Sequence, residues 1–143
     1  MEDTANTTRL PATSYTRVRD DGSAYLVGSR CERCDARFVG ERTNCGRCGA
    51  RDALVPYTLA TRGRLYNYTI VRRSYPGITV PFVSAVVDLE DGTSLKGNLL
   101  GVQPVPEAIH FGMPVRVVFR AAETANADAA GYVAHFFEPD GEN

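Results

Sequence analysis

From residue 62 to residue 139 the chain alternates short apolar runs with turn residues, and few segments show the spacing of an amphipathic helix. RGRLYNYTIVRRS, 62–74, is rich in β-branched and aromatic residues and predicts a strand, with Tyr66, Tyr68 and Ile70 on one face and Leu65, Thr69 and Val71 on the other. The Pro/Gly-punctuated loop YPGITVP follows, and FVSAVVDLE, 82–90, predicts a strongly apolar second strand. Asp91-Gly92 is a hairpin turn signal, because a pair that tolerates positive φ matches the twist of the strands it joins. TSLKGNLLG, 93–101, is then a third strand paired back on the second. Prolines in VQPVPEAIHFGMP, 102–114, stop strand pairing, and PEAIHFG can form a short helical turn before glycine ends it. VRVVFRA, 115–121, sets Val115, Val117 and Phe119 against Arg116, Val118 and Arg120. AETANADAAG, 122–131, predicts a small-residue hairpin loop, and YVAHFFEP, 132–139, a fifth strand with His135 on its solvent side.

Three strands, a short helical crossing and two more strands is the order of a five-stranded OB barrel. Upstream of it, YLVGSRC, 25–31, and ARF, 36–38, predict two short strands that enter and leave a cysteine pair, the first hairpin of a ribbon. Residues 1–13, rich in Thr and Asn with one Pro, predict a loose arm, and TRVRDDGSAY offers only a turn candidate at Asp21-Gly22. The expected organisation is mainly β: an N-terminal arm over 1–24, a rubredoxin-like zinc ribbon over 25–55 and an OB-fold domain over 56–143.

A length of 143 residues accommodates one small stapled module and one compact domain. The net charge is -1, from 16 basic and 17 acidic residues, which argues against a partner held mainly by phosphate electrostatics. The polar start MEDTANTTRLPATSY has no apolar h-region, and no stretch approaches the roughly 18 apolar residues of a membrane span. The expected location is the cytoplasm, where clustered cysteines favour metal over disulfide.

Four cysteines, Cys31, Cys34, Cys45 and Cys48, form the pattern C-x2-C-x10-C-x2-C and are the only ones in the chain. Thiolates bound to zinc sit at about 2.3 Å in a tetrahedron; one C-x-x-C turn supplies two of them and a second closes the site. Gly46 and Gly49 suit positions where such turns need positive φ, as do Asp35 and Ala50 less ideally. A structural zinc is therefore the leading reading, ahead of disulfides, a thioredoxin-type redox pair or iron. Four thiolates leave zinc no open position at which to activate water. Arg30, Arg33, Arg37, Arg42, Arg47 and Arg51 surround the cluster, where they offset its negative charge or face an anionic partner.

With the thiols committed to metal, the two histidines, His110 and His135, lack a Ser or carboxylate partner at a local spacing that would make a nucleophile. Asp88, Glu90 and Asp91 read as a hydrophilic hairpin tip, and there is no phosphate-binding glycine loop. A ribbon followed by an OB barrel is a recognition architecture, and the expectation is a chain without catalytic residues of its own. One reading is a single-stranded nucleic-acid binder with Tyr66, Tyr68, Tyr75 and Phe82 as stacking platforms and Arg62, Arg64, Arg72, Arg73 and Lys96 on phosphates. The other is a module that binds a protein or an acidic coenzyme.

The cysteine pairs, G-R-L-Y-x-Y-T at 63–69, P-F-V-x-A-V-V-x-L at 81–89, the D-G turn, I-x-F-G-M-P-V-R-V at 109–117 and the ending HFFEP together resemble the acyl-CoA-associated zinc-ribbon plus OB-fold family catalogued as domain of unknown function thirty-five. The likeness covers about residues 25–139. It departs from the family pattern at Asp35, where many members have Gly, and at Phe38-Val39-Gly40, where relatives often carry Phe-Pro-Pro. The resemblance implies Zn2+ on Cys31, Cys34, Cys45 and Cys48, and an accessory subunit in a hetero-oligomer with a thiolase-like catalytic subunit. The partner would carry the reactive residues, with a coenzyme A thioester as ligand of the complex. Arg72, Arg73, Tyr75 and Phe82, around the longest Pro/Gly loop of the barrel, are the candidate CoA or partner contacts, since cations can face phosphates and aromatics can anchor an interface. Nucleic acid and membrane are not expected partners.

Overall fold

A computed structural model describes residues 10–121 and 131–141 of the chain. The hairpin loop expected over 122–131, apart from Gly131, and residues 1–9 of the N-terminal arm fall outside these residues. Ten strands are described: β1 Leu10–Pro11, β2 Thr16–Val18, β3 Ala24–Cys31, β4 Arg37–Val39, β5 Leu54–Thr58, β6 Arg62–Val71, β7 Phe82–Leu89, β8 Ser94–Leu99, β9 Pro114–Ala121 and β10 Tyr132–Pro139. One 3-10 turn, Pro106–Ala108, makes the crossing before β9. Among these residues no helix is long and apolar enough to cross a membrane.

Strands β6 to β10 close a barrel with OB-fold connectivity. β6, β7 and β8 form an antiparallel meander, β9 pairs antiparallel with β6 and β10, and the parallel contact Phe137↔Leu99 joins β10 to β8. The interior is lined by alternate residues, among them Leu65, Val83, Val87, Leu95, Val115 and Phe137. The faces expected for β6 are corrected by a β-bulge between Leu65 and Asn67. The extra residue shifts the alternation, so Leu65 joins Tyr68 and Ile70 toward the core and Tyr66 points to solvent.

The ribbon sheet is built on β3, which pairs antiparallel with β2, β4 and β5. The sequence predicts no element for β1, β2 or β5. β1 nevertheless lies parallel on the start of β10, and β2 lies on Ala24 to Leu26. The two sheets share a core, because Leu26 on β3 and Leu59 after β5 pack among the barrel residues.

His135 is the second correction. It is only 8% exposed and shares the inward face of β10 with Val133 and Phe137. Its Nε2 lies 2.7 Å from the Lys96 carbonyl oxygen, so this nitrogen carries the proton and donates. Gly97 makes the room: a Cβ there would stand 2.9 Å from Nε2. His135 Nδ1 is buried without a hydrogen-bond partner, and burial holds the imidazole below its ordinary pKa despite the carbonyl that favours its charged form. The folded-state pKa is depressed, so His135 contributes stability above the unfolded value of about 6.5 that is lost as pH falls through the folded one. Denaturant midpoints at pH 7.5 and 5.5 are expected to differ more for the wild-type protein than for His135→Gln, which keeps a donor for Lys96. Equal differences would show that His135 does not titrate with unfolding.

Candidate functional site

The two C-x-x-C turns fold alike. In the first, Cys31 N–H donates to the Ala36 carbonyl at 2.9 Å and Asp35 N–H to the Cys31 carbonyl at 2.8 Å. In the second, Cys45 N–H donates to Ala50 at 2.9 Å and Gly49 N–H to Cys45 at 3.0 Å. The residue after each second cysteine takes the left-handed conformation, with φ 67° at Asp35 and 79° at Gly49. The expectation of positive φ at Gly46 and Ala50 is thereby corrected: the knuckle reverses one residue after each pair, where Asp or Gly is tolerated.

These turns bring the four Sγ atoms within 4.8 Å of one another. Cys31 and Cys48 are 3.8 Å apart and Cys34 and Cys45 3.5 Å, each pair spanning both knuckles. A tetrahedron with metal–sulfur bonds of about 2.3 Å has edges of about 3.8 Å, whereas a disulfide needs about 2.05 Å. All four cysteines are free. Cys31 and Cys45 are buried, and Cys48 is exposed.

The first sulfur of each pair also accepts main-chain amides. Arg33 N–H donates to Cys31 Sγ at 3.4 Å; Arg47 and Cys48 N–H donate to Cys45 Sγ at 3.3 Å each. The Cys48 amide, against the opposing effect of burial, draws the Cys45 thiol down to about 6, and the Cys34 amide acts the same way on Cys31. Cys34 moves the other way: the Ala36 amide pulls its pKa down, but burial and the neighbouring sulfurs outweigh it and push the thiol up to about 11. Close sulfur atoms cannot all ionise without a cation between them, and a soft divalent ion removes that conflict. The donor set and its geometry fit a metal ion.

The surrounding arginines divide. Arg30 and Arg37 pair with Asp35 at 3.5 and 3.6 Å, and Arg42 stacks over Phe38 at 4.5 Å. Arg33, Arg47 and Arg51 are exposed and make no ion pair among the described residues.

The barrel loop over 72–81 holds the other candidates. Arg72 and Arg73 follow the end of β6 and are exposed; Tyr75 is 80% exposed, and Phe82, which opens β7, is half-buried. Tyr75 and Phe82 line one groove of about 400 Å³ with Ile78, Asn98 and Phe136, while Arg72 and Arg73 do not line it. Asn98 comes to this loop through its pairing with Ser84 in the β7–β8 hairpin, and Phe136 only through the closing β8–β10 contact, so no local pattern signals the groove they complete. Phe82, Asn98 and Phe136 continue into a second groove of about 240 Å³ floored by Pro81, Val102 and Pro104. Tyr66, Arg62, Arg64 and Lys96 are exposed at other points of the barrel, and His110 is exposed on the crossing.

The hairpin carboxylates differ in role. Asp91 accepts from Tyr57 Oη and Ala60 N–H through Oδ2, both at 2.9 Å, and from Thr93 N–H and Oγ1 through Oδ1, at 3.0 and 2.7 Å. It is a tie between the ribbon strand β5 and the β7–β8 hairpin rather than a solvated tip, which no local pattern around it signals.

Residues 56–120 match the family model described as the C-terminal OB-fold domain of ChsH2. The chain is 27% identical over 116 residues to a DUF35 domain-containing scaffold protein of Methanocaldococcus jannaschii, covering 80% of this chain and 81% of that one. It is 29% identical over 84 residues to the benzoylsuccinyl-CoA thiolase subunit BbsA of Geobacter metallireducens, covering 58% of this chain and 56% of the relative. Among solved structures, a chain of the Ltp2-ChsH2(DUF35) aldolase superposes with a TM-score of 0.64 at 28% identity, over 80% of this chain and 84% of that one. With a ribbon-like cysteine module preceding an OB barrel, residues 56–120 carry the OB-fold domain of that family model, and the chain is similar in both sequence and shape to DUF35 proteins.

Proposed function

We propose that the chain is a zinc-bearing accessory subunit of a thiolase-type acyl-CoA enzyme complex, supporting a catalytic subunit and its acyl-CoA ligand without contributing reacting groups. The reading rests above all on the relatives: one carries the name of a thiolase subunit, and the structural neighbour comes from an aldolase pairing two proteins. It is supported by the cysteine cluster, which gathers every thiol of the chain into one potential metal centre. On this reading Cys31, Cys34, Cys45 and Cys48 hold zinc, and residues 25–55 are the metal-stapled unit beside a barrel unit over 56–143. Zinc with four thiolates cross-links the two knuckles and offers no open coordination position. The chain's own side chains then bind and orient. Tyr75 and Phe82 present an apolar groove to the pantetheine-like or protein surface they meet, and Arg72 and Arg73, outside the groove wall, supply cations for phosphate groups.

The deciding experiment measures acyl-CoA turnover by the purified catalytic subunit with and without this chain. A rise of at least tenfold on adding the zinc-loaded chain is expected. A catalytic subunit that is fully active alone would refute the reading.

A further inference from the structure

The two knuckles are built alike but not covered alike. Cys31 and Cys45 are 0% and 3% exposed, Cys34 is half-buried, and Cys48 alone of the four is exposed. The residue that follows each pair differs as well. After Cys34 stands Asp35, whose carboxylate pairs with Arg30 at 3.5 Å and Arg37 at 3.6 Å. After Cys48 stands Gly49, also left-handed, where an added Cβ would meet nothing within 4 Å beyond its chain neighbours. A groove of about 430 Å³, lined by Arg33, Cys34, Cys48, Gly49 and Ala50, opens at this point. Main-chain amides mark the same asymmetry: Cys31 Sγ accepts from Arg33 N–H and Cys45 Sγ from Arg47 and Cys48 N–H, whereas no main-chain amide among the described residues donates to Cys48 Sγ. Hydrogen bonds to a thiolate lower its basicity and with it its nucleophilicity. The sulfur left without them is also the one that solvent reaches.

We propose that Cys48 is a site of oxidation by hydrogen peroxide, through which the metal centre opens and releases its ion, a proposal that rests on the zinc reading of the four cysteines. The Cys48 thiolate attacks one peroxide oxygen: an S–O bond forms, the O–O bond breaks, the sulfur loses two electrons, and the second oxygen leaves as hydroxide, so that Cys48 becomes a sulfenic acid. Cys31 Sγ, 3.8 Å away, is the resolving thiolate. It attacks the sulfenic sulfur, the S–O bond breaks with loss of a second hydroxide, and a disulfide between Cys31 and Cys48 closes to about 2.05 Å. Over both steps two thiolates and one peroxide give one disulfide and two hydroxides. The sulfurs of that bond are no longer thiolate ligands, and Cys34 and Cys45 alone do not make the four-thiolate site that zinc occupies. The new bond still joins the two knuckles, so a thiol reductant returns the ligands to a ribbon that has stayed cross-linked.

The test treats the zinc-loaded chain with hydrogen peroxide, follows released zinc with a chromophoric chelator, and locates the first oxidised sulfur by mass spectrometry after trapping with a sulfenic-acid reagent. The expected result is stoichiometric release of zinc, the trap on Cys48, a disulfide between Cys31 and Cys48, and recovery of the site with dithiothreitol and fresh zinc. Gly49→Asp copies the first knuckle at a φ that Asp35 already adopts. It should keep its zinc and its melting temperature but release the ion roughly fivefold more slowly, because a carboxylate beside Cys48 restricts access and disfavours a leaving hydroxide. A chain that holds no stoichiometric zinc before peroxide is added would overturn the zinc reading together with the proposal. Zinc retained through the treatment, the trap on another cysteine, or release from Gly49→Asp at the wild-type rate would overturn the proposal and leave the zinc reading standing. Should Gly49→Asp lose its fold, the trapped position in the wild-type chain decides alone.

Discussion

Replacing Cys45 by serine is expected to abolish stoichiometric zinc binding and to lower the melting temperature by more than about 10 °C. The ribbon cannot compensate for a lost ligand. Its own buried residues are Ala36, Ala50 and Ala53 besides two cysteines, with Phe38 and Leu54 only half-buried against them. Such a cluster removes too little apolar surface from water to offset the ordering of two knuckles, so on the zinc reading metal binding would supply the folding free energy of this part. The effect should extend into the barrel, because β3 runs from Leu26 in the barrel core to Cys31, where it pairs with Leu54 on β5. Metal content by atomic absorption and a thermal scan decide the matter. A Cys45→Ser chain that retains one zinc, or whose barrel melts unchanged, would contradict this account of the centre.

Asp91→Ala should cost about 3 kcal/mol. The carboxylate serves donors from Tyr57, Ala60 and Thr93, and its removal leaves partly buried donors without acceptors. Asp91→Asn retains one accepting oxygen and should lose about half as much. Burial alone would raise the Asp91 pKa, but the amides of Ala60 and Thr93 and the hydroxyls of Thr93 and Tyr57 outweigh it and hold the carboxyl below its ordinary value. A depressed folded-state pKa contributes stability that is present above the unfolded value of about 3.9 and lost as pH falls through the folded one. The stability gap between wild type and Asp91→Ala should therefore be full at pH 7 and shrink below pH 4. A gap independent of pH would show that the charge of Asp91 is not what ties the two sheets. Tyr57 carries the complementary mark: burial, with the Asp91 carboxylate reinforcing it, pushes its hydroxyl well above the ordinary tyrosine range.

Strand order in the barrel was legible because period-2 alternation and the Asp91-Gly92 turn are local signals, and the prolines before β9 interrupt them at one place. The cysteine spacing was legible for the same reason, since a knuckle is closed by hydrogen bonds within six residues. β1, β2 and β5 were not legible. They are short; β1 and β5 are held by partners distant in sequence, as Leu10 is by Tyr132 and Leu54 by Cys31, and the three residues of β2 are too few to show an alternation of their own. The faces of β6 were misassigned because a bulge adds one residue without any mark in the composition. His135 was placed outward for a related reason: alternation orders the residues of a strand but does not say which face is buried when both carry aromatics, and the space that admits the imidazole belongs to Gly97 on another strand.

The sequence by itself determined the mainly β class, the ribbon-then-barrel order and the four thiols suited to metal, because each depends on contacts a few residues apart. Only the tertiary structure decided that Phe136 and Asn98 complete the groove beside Tyr75, that Asp91 binds the ribbon to the barrel, and that Phe111 comes to rest against Tyr68. Those arrangements depend on strand register and barrel closure, and register is settled by the sum of many weak contacts between distant residues rather than by any motif.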